Sequence, residues 1–293
     1  MADTSAQAEI RGIAIDRIAR GYADEVMVMK KFVTISPTSA RQVRWYQMTA
    51  GIYSTTDTTT MTTARLSTDF KARPESVEPS FTRNTSYVLK WMLESPLISN
   101  EDIDDNDPEL WMKTIDILTR AVSYEVDRHI WDVITESRTA VNINTVTIVD
   151  EWDDPANATP VQDIMEAKEE IANYNYDISN CVLMITPSSA TDLMNWIIAQ
   201  KGANVPDFAS QKIVDGVVTS FLGCQVVVSN VVTSDYACVF VPMVACTYKQ
   251  FKPISTAIVE EPAIGKKFRV YEEGIALLTD PKAVTLLDNI GPT

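Results

Sequence analysis

Phe221-Leu-Gly-Cys-Gln-Val-Val-Val-Ser-Asn230 places a glycine, Gly223, ahead of a β-branched run, which marks a tight turn opening into a strand. Ala237-Cys-Val-Phe-Val241 reads as a second strand. Phe268-Arg-Val-Tyr-Glu-Glu-Gly-Ile-Ala-Leu-Leu-Thr-Asp-Pro-Lys-Ala283 leads into a short apolar run through Leu287, and Asp280-Pro281 is the turn pair that closes the last strand. Returning strands therefore dominate the end of the chain. None of them carries a catalytic signature.

The chain has 293 residues, 45% of them hydrophobic, enough to bury one large core or two modest ones. It opens Met-Ala-Asp-Thr-Ser and holds no apolar run near the length of a membrane span, so a soluble protein without a signal peptide is expected. Cys181, Cys224, Cys238 and Cys246 are scattered without a CxxC, and three of them lie in apolar strand-like runs. Buried free thiols are expected there, with neither disulfides nor zinc. Net charge is −15 and uneven: residues 1–48 carry +2 and the remainder −17. So acidic a chain is a poor general binder of nucleic acid, which needs clustered Lys and Arg. The same charge maintains solubility in any chain, and in a container for DNA it would also repel the packed DNA.

Ahead of the returning strands the chain alternates between segments with and without a core. Ala6, Ile10, Ala14 and Ile18 fall at helical spacing over residues 5–22, an imperfect stripe that Arg17 and Gly12 interrupt. Phe32-Val-Thr-Ile35 follows, with no compact unit around it. Residues 49–68 hold nine threonines, which favour strands but supply little apolar area. Thr85–Leu93 alternates, with Tyr87, Leu89, Trp91 and Leu93 on one side. Joined through Arg73-Pro74-Glu75, these two segments predict a long hairpin that needs a partner surface.

The run Ser99-Asn-Glu-Asp-Ile-Asp-Asp-Asn-Asp-Pro-Glu109 resembles a calcium loop only in its acidity. It lacks the glycine at the sixth position and the glutamate at the twelfth. A helix start fits better, with Asp107 as cap and Pro108 and Glu109 in the first turn. Trp111, Ile115, Leu118, Val122, Val126, Ile130 and Val133 then form one stripe over 108–136, a helix about 43 Å long at 1.5 Å per residue. Ile143–Val149 alternates as a strand. Thr159, Pro160 and Gln162 supply a cap, a first-turn proline and a capping-box glutamine for a helix to about Tyr174. Cys181–Ile185 is a buried strand, and Pro187 opens a helix ending near Gly202. This alternation predicts an α/β subdomain with helices packed on a central sheet.

In this order, and most sharply over 221–287, the segments resemble the major capsid proteins of tailed double-stranded DNA phages and related viruses, the Hong Kong ninety-seven type of shell fold. The resemblance implies an α+β fold in four parts. Residues 1–45 are the N-terminal arm and 46–95 the extended loop, which lies across the adjacent subunit. A peripheral domain joins 96–150 to 247–293 and contains the long spine helix. The axial α/β domain is 151–246, with 203–215 as the loop near a capsomer axis. The implied function is a structural protein that self-assembles into pentamers and hexamers, an icosahedral shell around double-stranded DNA. It would be assembled in the host cytoplasm and reside in the virion, with no membrane and no cofactor. Scaffold, portal and decoration proteins are the partners such a shell uses; with no coiled-coil domain ahead of the arm, a scaffold would be a separate chain.

The residues offer little to an enzyme. No GxGxxG or GxxxxGK[ST] occurs among the nine glycines. His129, the only histidine, lies mid-helix without a nucleophile elbow and reads as a packing residue. Glu169-Glu170, Glu260-Glu261 and Glu272-Glu273 invite an acidic-hydrolase reading, but neighbours on a strand point to opposite faces, and all three pairs read as solvated charge. Some members of the capsid family cross-link a loop lysine to a C-terminal asparagine; this sequence offers Lys71 and Asn289, neither in a specific motif. Two other readings stand beside the phage shell: an encapsulin-like nanocompartment enclosing protein cargo, and a tail or adhesion component suggested by the threonines.

Overall fold

A computed structural model describes residues 17–23, 26–49, 81–99, 101, 108–154, 156–199 and 220–291. The expected stripe positions Ala6, Ile10 and Ala14, most of the threonine-rich stretch, Lys71, Asp107 and the loop 203–215 lie outside these residues. Contacts divide the chain into two compact units. One takes the described residues of 1–43, 85–130 and 248–276, the other those of 44–84, 131–247 and 277–293.

The second unit is built on six strands: β6 (Asn144–Thr147), β7 (Val182–Ile185), β8 (Ser220–Phe221), β9 (Cys224–Val228), β10 (Tyr236–Phe240) and β13 (Val284–Asp288). Their order is β6-β13-β10-β7-β9-β8. β7 pairs parallel with β9 and antiparallel with β10, while β13 pairs antiparallel with β10 and parallel with β6. Every residue of β7 is buried, which is why it reads as an unbroken apolar run. Between β8 and β9 the turn residues Leu222 and Gly223 both have positive φ, at 50° and 77°. A two-residue turn of this hand matches the twist of the strands it joins. β6 and β13, which the sequence reading groups with the peripheral domain, pair inside this sheet.

Two helices accompany the sheet, α2 (Pro160–Ala172) and α3 (Pro187–Ala199). α2 buries Ile164, Ala167 and Ile171 and packs on β13, where the Thr285 hydroxyl donates to the Ala167 carbonyl at 3.0 Å. Its expected capping box is absent. The Thr159 hydroxyl turns to Asp163 at 3.3 Å, and Trp152 Nε1 donates to the same carboxylate at 2.9 Å. A buried indole N–H needs an acceptor, and Asp163 answers it. At the start of α3 the Thr186 hydroxyl accepts the Ser189 N–H at 3.1 Å, a true cap ahead of the first-turn proline.

The first unit holds most of the long helix α1 (Pro108–Ile134) and a five-stranded sheet. Its strands are β1 (Thr34–Pro37), β4 (Leu89–Glu94), β5 (Ile98–Ser99), β11 (Cys246–Glu261) and β12 (Gly265–Leu278), in the order β1-β11-β12-β4 with β5 also on β12. α1 ends two residues before the expected 136, because Glu136, Ser137 and Arg138 all take positive φ. Ile115, Val122, Val126 and Ile130 are buried as the stripe predicts. Along 17–23, helical as expected, Ala19 and Ala23 are the buried residues while Ile18 is half-buried. Ala23 and Met27 pack with Val122, Ile254 and Val270; Ala19 packs with Ile98, Ile115 and Phe268.

The chain does not run as one strand through Thr85–Leu93. It breaks at Val88: β3 (Phe81–Tyr87) pairs with β2 (Gln42–Met48) as a two-stranded ribbon, and β4 pairs antiparallel with β12. Alternation alone cannot distinguish one strand from two collinear strands with different partners. β11 is also unanticipated. Pro253 lies inside it, exposed, and a proline ordinarily argues against a strand interior.

Candidate assembly surfaces and their polar anchor

Residues 28–32 are tied into the first unit through charge. Asp127, one helical turn beyond Ser123 and two beyond Thr119, points a carboxylate at the turn Met29–Phe32. Its Oδ2 accepts the Val28 N–H at 2.7 Å and its Oδ1 the Lys30 N–H at 3.3 Å. Burial pushes this carboxyl above its ordinary value, while those backbone bonds pull it back. Lys30 continues the link: its ammonium donates to Glu272 Oε1 and lies 4.9 Å from the Tyr248 ring centre. The Tyr248 hydroxyl donates to the same oxygen at 3.0 Å. Burial and the neighbouring Glu272 push the Tyr248 phenol up, so it stays a donor.

Glu272 is 0% exposed and Glu273 2%. The expectation of solvated charge fails for this pair, although the two do face different partners. Glu273 meets Arg41 Nη2 at 3.2 Å and Lys90 at 3.9 Å, ionic approaches from two half-exposed or exposed cations. Arg41 also stacks on Phe251, 5.0 Å from its ring centre. Glu260 and Glu261 behave as expected, exposed or half-exposed beside Lys266 at 2.8 Å and Lys267 at 2.6 Å. Sequence reasoning missed the Lys30–Asp127–Glu272 cluster. Two signals could have found it: the polar seam Thr119, Ser123, Asp127 at steps of four beside the apolar stripe, and two acids set inside the apolar run Val270–Leu278.

The ribbon of β2 and β3 presents the opposite character. No residue of β3 is buried, and Tyr46, Phe81 and Tyr87 are 59%, 49% and 64% exposed. Tyr46 and Phe81 meet edge to face, ring centres 6.2 Å apart. Neither strand carries an acid, and both Arg44 and Arg83 are exposed. A basic, aromatic two-stranded ribbon with no third strand among the described residues is marginal without a surface to lie on.

The remaining sequence candidates are placed plainly. His129 is half-buried, its ring 5.3 Å from that of Trp91, and its Nε2 accepts the Ala276 N–H at 3.5 Å. That is a packing role. Asn289 donates to the Ile148 carbonyl at 3.1 Å, and its cross-linking counterpart Lys71 lies outside the described residues. All four cysteines are buried free thiols. Among the described residues, no cluster of three His, Cys, Asp or Glu could hold a metal ion, and no helix is long and apolar enough to cross a membrane.

Comparison with known proteins gives the arrangement its family. A family model described as phage capsid protein matches residues 97–287, more than half of the chain. No curated protein matches by sequence. Among solved structures, the capsid of the cyanophage P-SCSP1u superposes with a TM-score of 0.67 at 12% identity, covering 91% of this chain and 89% of that one. The mature capsid of bacteriophage PhiM1 gives 0.63 at 12%, covering 89% and 86%. A virus-like particle from Pyrococcus furiosus gives 0.63 at 11%, covering 95% and 99%. The fold is thus the Hong Kong ninety-seven type, and the chain belongs to the phage capsid protein family as a structural component of the virion.

Proposed function

We propose that this chain is the repeating subunit of a closed icosahedral shell, set in pentamers and hexamers around double-stranded DNA and assembled in the host cytoplasm. The exposed ribbon carries the reading. Tyr46, Phe81 and Tyr87 offer large apolar area that a lone subunit leaves in water. A surface of this kind that meets a different patch on the next copy makes a head-to-tail contact, and such contacts close into rings when the rotation permits. Each interface can be modest, because closure multiplies it. The arm and the extended loop, residues 1–45 and 46–95, supply the reach, with 96–150 and 247–293 as peripheral domain and 151–246 as axial domain. The charge of −15 suits a wall facing DNA that it must not bind.

The test is a triple variant, Tyr46→Ser, Phe81→Ser and Tyr87→Ser, co-expressed with the neighbouring phage genes. The expected product is a subunit with unchanged circular dichroism that forms no closed particles in negative-stain electron micrographs. Normal particles from this variant would overturn the reading. Wild-type particles are expected to protect double-stranded DNA from nuclease; a protein filling would point instead to a nanocompartment.

A further inference from the structure

Cys181 and Cys224 face one another across β7 and β9. The parallel register sets Val182 against Gln225, so the two cysteines are the pair one step before it, and the Gln225 N–H donates to the Cys181 carbonyl at 2.9 Å. Residues directly paired on neighbouring strands lie about 5 Å apart, inside the roughly 4.4–6.8 Å of Cα separation that a disulfide spans. Both thiols line a pocket of about 240 Å³, together with Asn180, Ser220, Gly223 and Gln225. Lys168 reaches the same corner, its ammonium donating to the Leu222 carbonyl at 2.8 Å. The strands set the two thiols in register at the pocket's floor, each 0% exposed, and the lysine supplies positive charge.

We infer that Cys181 and Cys224 form an oxidisable dithiol, a modification site that a hydroperoxide converts to a disulfide. Cys224 is the first nucleophile. Cys181 donates its S–H to it, which lowers the Cys224 thiol from its ordinary value, and Lys168 acts in the same sense. The donor Cys181 is pushed up by that hydrogen bond and by burial. In the first step the Cys224 thiolate attacks an oxygen of the hydroperoxide; an S–O bond forms, the O–O bond breaks, and the leaving oxygen departs as an alcohol after taking a proton. Cys181 then attacks the sulfenic sulfur, an S–S bond forms, the S–O bond breaks, and hydroxide leaves as water with the Cys181 proton. Two thiols lose two electrons and the hydroperoxide gains them. The product ties the β8–β9 hairpin to β7, a lock that sets when a particle leaves a reducing cell for an oxidising exterior.

Cys238 and Cys246 are the built-in controls. They are as buried as the pair itself, burial holds their thiols high, that of Cys246 at about 12, and neither borders this pocket. The experiment treats the full chain, free of reductant, with graded hydrogen peroxide and then maps peptides under non-reducing conditions. One disulfide joining the peptides of Cys181 and Cys224 is expected, with Cys238 and Cys246 recovered as thiols. In Cys181→Ser, Cys224 is expected to stop at the sulfenic acid and be trapped by dimedone. Four surviving thiols at a peroxide level that oxidises an unhindered thiol, or equal oxidation of all four, would overturn the inference. So would a disulfide between any other pair.

Discussion

The two units solve the problem of a core in different ways. The six-stranded unit buries β7, β10 and β13 as apolar runs, and its large polar side chains find partners. Trp131 donates to Thr233 at 3.2 Å, Trp152 to Asp163 at 2.9 Å, Trp196 to the Ala158 carbonyl at 3.0 Å and Tyr176 to Asp280 at 3.1 Å. The five-stranded unit buries Lys30, Asp127, Glu272 and Glu273. It also holds every buried side-chain oxygen without a hydrogen-bond partner among the described residues: Thr119 Oγ1, Ser123 Oγ, Glu272 Oε2 and Glu273 Oε2. The last of these has the Arg41 guanidinium within 3.2 Å, an ionic contact without hydrogen-bond alignment. The difference teaches what fixes a segment with little core of its own. Apolar packing tolerates sliding, whereas a carboxylate that accepts the N–H groups of Val28 and Lys30 fixes the chain at one register.

Breaking the charged pair is the most damaging test of this contrast. Lys30→Met leaves the buried Glu272 side chain answered only by Tyr248, and removing one partner of a buried pair costs about 3–5 kcal/mol. The double variant Lys30→Met and Glu272→Met removes both charges and is expected to recover most of that loss. Urea unfolding of dissociated subunits measures each. A single-variant loss within the roughly 0–1 kcal/mol typical of a surface pair would mean the pair is not the anchor.

Much of the six-stranded unit was legible because its signals are local. A four-residue apolar run such as Val182–Ile185 is a buried strand, and a glycine before Cys224 is a turn. The long helix was legible for the same reason, its stripe predicting 108–136 against an observed Pro108–Ile134. The charged anchor was not, because no periodicity reveals that Lys30 and Glu272, 242 positions apart, neutralise each other. β11 was hidden by Pro253, since a residue that cannot donate to a ladder argues against a strand interior. The candidate assembly surface was half legible. Segments without a core announced themselves by composition, but which rings stand in water depends on the break at Val88, where that N–H turns to the Arg41 carbonyl at 2.9 Å.

Gly274→Ala sharpens the contrast at smaller cost. A Cβ there would sit 2.3 Å from the Tyr248 hydroxyl oxygen and 2.5 Å from Cζ, so the buried ring must move and its bond to Glu272 lengthens or breaks. Overpacking of this kind costs about 1–3 kcal/mol. Because the nearest atom is the hydroxyl, Tyr248→Phe should absorb part of the strain, and the two substitutions together are expected to cost less than their sum. Additive losses in the same urea series would show that the phenol is not what the glycine accommodates.

The smallest effect concerns pH. Asp127 has its folded-state value raised above the ordinary 3.8, chiefly by burial. Between those two values the unfolded chain has already released a proton that the folded chain still holds, so raising the pH favours unfolding. The stability this group contributes is fully present below 3.8 and is lost as the pH rises through the raised value. Asp127→Asn removes this group's titration, so the difference in urea midpoint between the two chains should shift against the native residue as the pH rises from about 3.8 through the raised value, and then level off. A flat difference would mean that the backbone N–H groups of residues 28–30 and the Lys30 charge offset burial entirely, and the anchor would then hold this segment equally well in acid and at neutrality.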